Sequence, residues 1–231
     1  MVLNIQAILV PQGAEYRAVC RGLRQILNPP TVFPVPIGAI PLARCLERLY
    51  QSGCLFKGQQ VLLMGLCGGL VPELKTGDRV VYEACLSTAC AELGQLECDR
   101  ELTRQIQQTL EYPVQPVIAV MSDRVVARAV DKRQLALRFR ADVVDMEGFA
   151  ALHQLAEVGV ALATVRVVSD DCRHSIPNLA TAIDAKGALQ PIPLAVAMLK
   201  QPIAALHLIY GSTKSLKILQ NLTFELCKNS F

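Results

Sequence analysis

Short uncharged apolar runs alternate along this chain with segments of helical apolar spacing, and that alternation admits few folds. Residues 5–10 form such a run, stopped by Pro11-Gln12-Gly13 as a buried first strand would be. Residues 14–27 then space their apolar side chains as a helix does, until Asn28-Pro29-Pro30 ends it. Further strands are expected at 31–35, 60–64, 78–82, 117–120 and 160–169, and further helices at 41–51, 99–110, 131–140 and 148–157. The pattern predicts a three-layer α/β/α fold in a single domain over 1–231, with a central mixed, largely parallel sheet and helices on both faces. No repeat, low-complexity stretch or linker interrupts it. After Ser175, the prolines at 177, 191, 193 and 202 are expected to break a helical tail into short pieces.

The composition can fill such a core, with 52% apolar and 19% charged residues. It also excludes several functions. Trp is absent, aromatics are 5%, and 23 basic against 20 acidic residues leave only +3, with no dense basic run to hold nucleic acid. Nine cysteines are scattered without a CxxC, which fits small buried hydrophobes in a reducing cytosol better than disulfides or a metal site. The first residues lack a basic signal-peptide region, and no apolar run reaches the ~18 residues of a membrane span, so a cytoplasmic protein is expected. His153 and His174 have no ligand spacing, and no metal is expected.

Gly65-x-x-Gly68-Gly69 directly after a strand invites a dinucleotide-binding reading. That motif must open a helix whose N-terminus holds a pyrophosphate. Here Leu70-Val71-Pro72 begins a turn into the next strand instead, so the dinucleotide reading fails. Two readings remain: the glycines permit tight chain packing, or they let backbone approach a ligand closely.

Four blocks in order resemble the nucleoside phosphorylase and nucleosidase superfamily over nearly the whole chain. They are Ile8-Leu9-Val10-Pro11 with Glu15, Met64 to Leu70 with Gly77-Asp78-Arg79-Val80-Val81, Val144-Asp145-Met146-Glu147-Gly148, and Arg166-Val167-Val168-Ser169-Asp170. Within it, Ser122 to Ala127, Asp131-Lys132-Arg133, Ala182 to Gly187 and the tail from Met198 to Leu206 resemble the hopanoid-associated phosphorylases, also described as adenosylhopane nucleosidases.

The resemblance implies cleavage of a purine–ribose bond without metal or organic cofactor. It makes Asp170 the acid that protonates the base at N7, a task requiring desolvation or nearby negative charge to raise a carboxyl's pKa. Glu147 would hold the ribose hydroxyls with Met146 against the sugar, and Asp145 would support them. Gly65, Leu66, Cys67, Gly68, Val125, Val126 and Ser169 would line the base and nucleophile sites. Arg166, counted along its strand, is expected to pair with Asp145 or Glu157 rather than with Asp170.

Two departures bear on substrate and nucleophile. Leu66 stands where the family often has a hydroxyl beside the nucleophile, which favours water activated by Glu15; phosphate as co-substrate stays open, with Arg44, of the same or a neighbouring subunit, as its candidate ligand. Val125 replaces an aromatic wall of the base pocket, which suits a bulkier substrate or signals lost activity. The reading is therefore an adenine-releasing nucleosidase acting on adenosylhopane. Its alternatives are a methylthioadenosine/adenosylhomocysteine nucleosidase, a purine nucleoside phosphorylase, or a non-catalytic nucleoside-binding protein. The family implies a homo-oligomer, at least a dimer. Apolar residues and lysines in the tail, 192–231, suggest either docking or a peripheral membrane patch that admits a lipid-linked nucleoside.

Overall fold

The chain was analysed as a computed structural model that describes residues 3–89 and 94–228. In chain order the elements are β1 (Ala7–Pro11), α1 (Ala14–Gly22), β2 (Thr31–Val35), α2 (Ala39–Gln51), β3 (Gln60–Gly69), β4 (Arg79–Ser87), β5 (Leu96–Glu97) and α3 (Arg100–Thr109). There follow β6 (Gln115–Met121), α4 (Ala129–Phe139), β7 (Val143–Asp145), α5 (Gly148–Glu157), β8 (Ala161–Asp170), α6 (Pro191–Lys200) and α7 (Pro202–Cys227).

The strands run in the order β2-β1-β3-β7-β6-β4-β5, while β8 pairs with both β3 and β4. That double pairing closes β3, β8, β4, β6 and β7 into a ring. Pairs β1/β2, β1/β3, β3/β8, β4/β6 and β6/β7 are parallel; β3/β7, β4/β5 and β4/β8 are antiparallel. The mixed, largely parallel sheet expected from the alternation is present, and it curls shut. Side chains alternate across it: Leu63 joins a core with α2 and α5, whereas Leu62 and Met64 join a second core with α1, α3 and α7.

Closure places the site. Gly68 pairs with Val144 of β7 on one edge and with Asp170 of β8 on the other. The β8 register slips there, because Cys67 faces Val168 while Gly68 faces Asp170, leaving Ser169 as the extra residue of a bulge. Bulges re-aim side chains at strand ends, and this one turns Ser169 and Asp170 at the ring's rim.

Two expectations need correction. The supposed glycine loop is strand: β3 runs through Gly69 because both its edges find partners, in β8 and β7. The tail is not broken into short pieces either, since α7 spans 26 residues. Pro191 and Pro202 occupy the first turns of α6 and α7, where a missing N–H costs no helical bond, so they start helices rather than break them.

Helix α7 belongs to the core. Leu219, Leu222 and Leu226 are fully buried, and the Ser215 hydroxyl donates to the Val168 carbonyl at 2.7 Å. At Gly211 the helix lies so close to β8 that a Cβ would sit 2.0 Å from the Ser169 carbonyl oxygen. No described helix is long and apolar enough to cross a membrane. Five of the eight described cysteines are buried and all eight are free; Cys90 lies outside the described residues.

Candidate active site

Arg166 of β8 is fully buried and is the centre of a carboxylate cluster. Its Nη2 donates to Asp145 Oδ2 at 3.1 Å and to Glu147 Oε2 at 3.2 Å, and its Nη1 donates to the Leu66 carbonyl at 3.4 Å. Burial alone would lower its pKa, but the charges of Asp145 and Glu147 more than offset this and hold it protonated. Asp145 also accepts from the Gly148 amide and from the Tyr82 hydroxyl at 3.3 Å.

Glu147 caps the start of α5. Its Oε1 accepts from the Gly38 amide at 3.1 Å, and burial raises its pKa against the opposing charge of Arg166. Glu15, in the first turn of α1, accepts from the Leu66 amide at 2.6 Å. Burial pushes it up to about 7, opposed by Arg166 and reinforced by Glu147. Gly65 is what admits this cluster, since a Cβ there would meet Arg166 Nη1 at 2.4 Å and Glu15 Oε1 at 2.7 Å.

Asp170 stands three residues further along β3, over Gly68, whose Cβ would lie 3.3 Å from Asp170 Oδ2. Its Oδ1 accepts from the Ser169 hydroxyl at 2.5 Å, a group also within 3.2 Å of the Cys67 carbonyl. Its Oδ2 accepts from Lys132 Nζ, and the same ammonium reaches the Asp171 carbonyl at 2.8 Å. The apolar or acidic surroundings expected for an acid at this position are absent, and a fully buried ammonium stands there instead.

A cavity of about 480 Å³ joins these groups. Glu15, Leu66, Cys67, Gly68, Val125, Val126, Asp145, Met146, Glu147, Ser169 and Asp170 all line it, while Gly65 lies beneath. Helices α6 and α7 add an apolar wall of Leu194, Met198, Leu208, Ile209 and Leu216. A larger open groove, about 1290 Å³, shares Arg124, Val125 and Val126 with it but contains neither Glu15, Glu147 nor Asp170.

The Phosphorylase superfamily matches residues 12–192. The chain belongs to that superfamily. Helicobacter pylori futalosine hydrolase shares its fold at a TM-score of 0.70 and 15% identity, over 98% of both chains. The 5′-methylthioadenosine/S-adenosyl homocysteine nucleosidase of the same organism does so at 0.65 and 16%, over 96% of this chain and 98% of that one. No curated protein sequence matches.

In this superfamily member Arg44 is exposed on α2 and lines no part of its own chain's cavity. Arg166 pairs with Asp145 and also with Glu147, whereas Glu157 ends α5. Lys132 stood in the sequence only within the Asp131-Lys132-Arg133 block of the hopanoid-associated resemblance, with no site role. Tyr82 and the Gly38 amide were also missed: Gly38 lies in a segment with no motif, and Tyr82 directly follows the Gly77-Asp78-Arg79-Val80-Val81 block, the one signal that pointed towards it. Among the described residues no metal-ligand set gathers.

Proposed function

We propose that the chain hydrolyses the N-glycosidic bond of an adenosyl compound and releases adenine. The observation that carries this reading is that three carboxylates line one cavity, Glu15 and Glu147 around Arg166 and Asp170 over Gly68. A ribosyl purine needs acidic groups at both its sugar and its base. Glu147 accepts the ribose hydroxyls, with Met146 against the sugar; Asp170, whose ammonium partner favours the carboxylate, first takes a proton from solvent and then gives it to N7. The C1′–N9 electron pair then leaves with the base, and the developing oxocarbenium ion lies near the carboxylate cluster, which favours positive charge. Water adds to C1′ as Glu15 takes its proton. Asp170 ends deprotonated and Glu15 protonated, and exchange with solvent resets both.

Water is preferred to phosphate because the lining around Glu15 is Pro11, Ala14, Ile37 and Leu66; among the described lining residues the cation is Arg124, beside Val125. Glu15, titrating at about 7, is matched to act as a base near neutral pH. The apolar wall from α6 and α7 supports a nucleoside with a large apolar 5′ substituent. Adenosylhopane, a hopanoid precursor, is the substrate of choice.

The test is to incubate the protein with adenosylhopane in mixed micelles, methylthioadenosine, adenosylhomocysteine and futalosine, with and without phosphate, and to follow free base. Base release without phosphate, lost in Asp170→Asn, is the expected result. Preference for methylthioadenosine would move the assignment to the ordinary nucleosidases, and dependence on phosphate to a phosphorylase. Binding of adenosine with no base released under any condition would leave a binding protein on this scaffold.

A further inference from the structure

We infer that Lys132 is a positioning residue for Asp170, its ammonium stabilising the carboxylate that Asp170 becomes as it protonates the leaving base. The inference rests on the hydrolytic reading above. Lysines are almost never fully buried unless paired, and Lys132 of α4 has no exposed surface at all. Its Nζ is committed to Asp170 Oδ2 and to the Asp171 carbonyl at 2.8 Å. It lines neither the cavity nor the neighbouring groove, so a substrate meets Asp170 and not Lys132.

The surrounding charges leave this pairing undisturbed. The Asp171 carboxylate turns away to the His174 ring and to the amides of Arg173 and His174. Arg133, next on α4, donates to the Cys172 carbonyl at 3.0 Å. The groups facing Asp170 from β3 and β8 are the Cys67 thiol, held protonated by burial, and the Ser169 hydroxyl.

In the proposed reaction the Asp170 O–H bond breaks, its proton moves to N7, and the electron pair stays on the carboxyl group. The ammonium interacts weakly with a neutral carboxyl and strongly with a carboxylate, so it acts more in the transition state than in the bound substrate. Such an interaction raises kcat and leaves KM alone.

The experiment compares kcat and KM for base release by wild type, Lys132→Met, Lys132→Arg, Asp170→Asn and the Lys132→Met/Asp170→Asn double variant, with a melting curve for each. Lys132→Met should lose about 100-fold in kcat at nearly unchanged KM, and Lys132→Arg should recover part of it. The double variant should be no slower than Asp170→Asn, since Lys132 acts through that carboxyl. A kcat unchanged in Lys132→Met, a defect confined to KM, or a double variant slower than Asp170→Asn would overturn the inference. If Lys132→Met does not fold, Lys132→Arg and Lys132→Gln decide: a larger kcat loss in Lys132→Gln than in Lys132→Arg at unchanged KM supports the inference, and equal kcat in the two overturns it. Wild-type turnover with an unaffected Lys132→Met sinks this inference alone; absence of wild-type turnover sinks the hydrolytic reading as well.

Discussion

Glu15, Asp145 and Glu147 converge on the single guanidinium of Arg166, so the buried cluster would carry net negative charge if all three were ionised. Glu15 is where that strain is relieved: burial pushes it from 4.5 to about 7, despite Arg166. The folded protein therefore holds this proton more tightly than the unfolded chain does. Its contribution to stability is complete below pH 4.5 and is lost as the pH rises through about 7. Activity has the opposite sign, because activating water requires the carboxylate. We expect kcat/KM to climb with unit slope up to about pH 7 as Glu15 ionises, and to fall on the alkaline side where Asp170 no longer carries the proton it donates, in a profile recorded on the best substrate. Glu15→Gln should remove the activity, and in melts across the same range it should lose the wild type's decline in stability. A flat wild-type profile through that range would remove Glu15 from the role of base.

At the scale of elements, the fit between α7 and β8 controls where Asp170 points. Gly211 lets the helix touch the Ser169 carbonyl, and Ser215 bonds the Val168 carbonyl beside it. Gly211→Val must push α7 away from the β8 bulge. We expect a loss of about 1–3 kcal/mol, read from denaturant unfolding, together with a fall in kcat as Ser169 and Asp170 shift. Unchanged kcat in a destabilised variant would mean that the bulge holds its geometry without α7. Little of this contact was legible in the sequence. Most strands and helices up to 170 were, since each buries a face whose period is written in its apolar residues, but β5 and β7 are two and three residues long and too short to show one. The run from Gly65 to Gly69 misled because local composition cannot reveal that both strand edges are paired. The tail misled because Pro191 and Pro202 look the same in sequence whether they begin a helix or end one. Asp145, Glu147, Ser169 and Asp170 were legible as motifs, whereas Lys132 was hidden because its burial depends on how α4 packs.

At the scale of the whole molecule, α6 and α7 present apolar side chains in two directions. Leu194, Met198 and Leu208 face the cavity, while Ile192, Leu199, Ile203, Leu206 and Tyr210 are between 67% and 81% exposed. Ile209 is half exposed and also lines the cavity, so it marks a rim between the two surfaces. An apolar face continuous with the mouth of a substrate cavity is a suitable route for a nucleoside whose apolar part stays in a bilayer, with Lys200 and Lys217 near anionic headgroups. Removing the tail cannot test this, because Leu219, Leu222 and Leu226 are core. Replacing Leu199, Ile203 and Leu206 together by Ser leaves that core intact. The triple variant should float less with anionic liposomes and turn over adenosylhopane poorly, yet release adenine from methylthioadenosine at the wild-type rate if it accepts that substrate. The competing occupant of the face is a second copy of the chain, as a homodimer would require. In that case light scattering would find the wild type dimeric and the triple variant monomeric, with liposome recovery equal for both, and the membrane route would be abandoned.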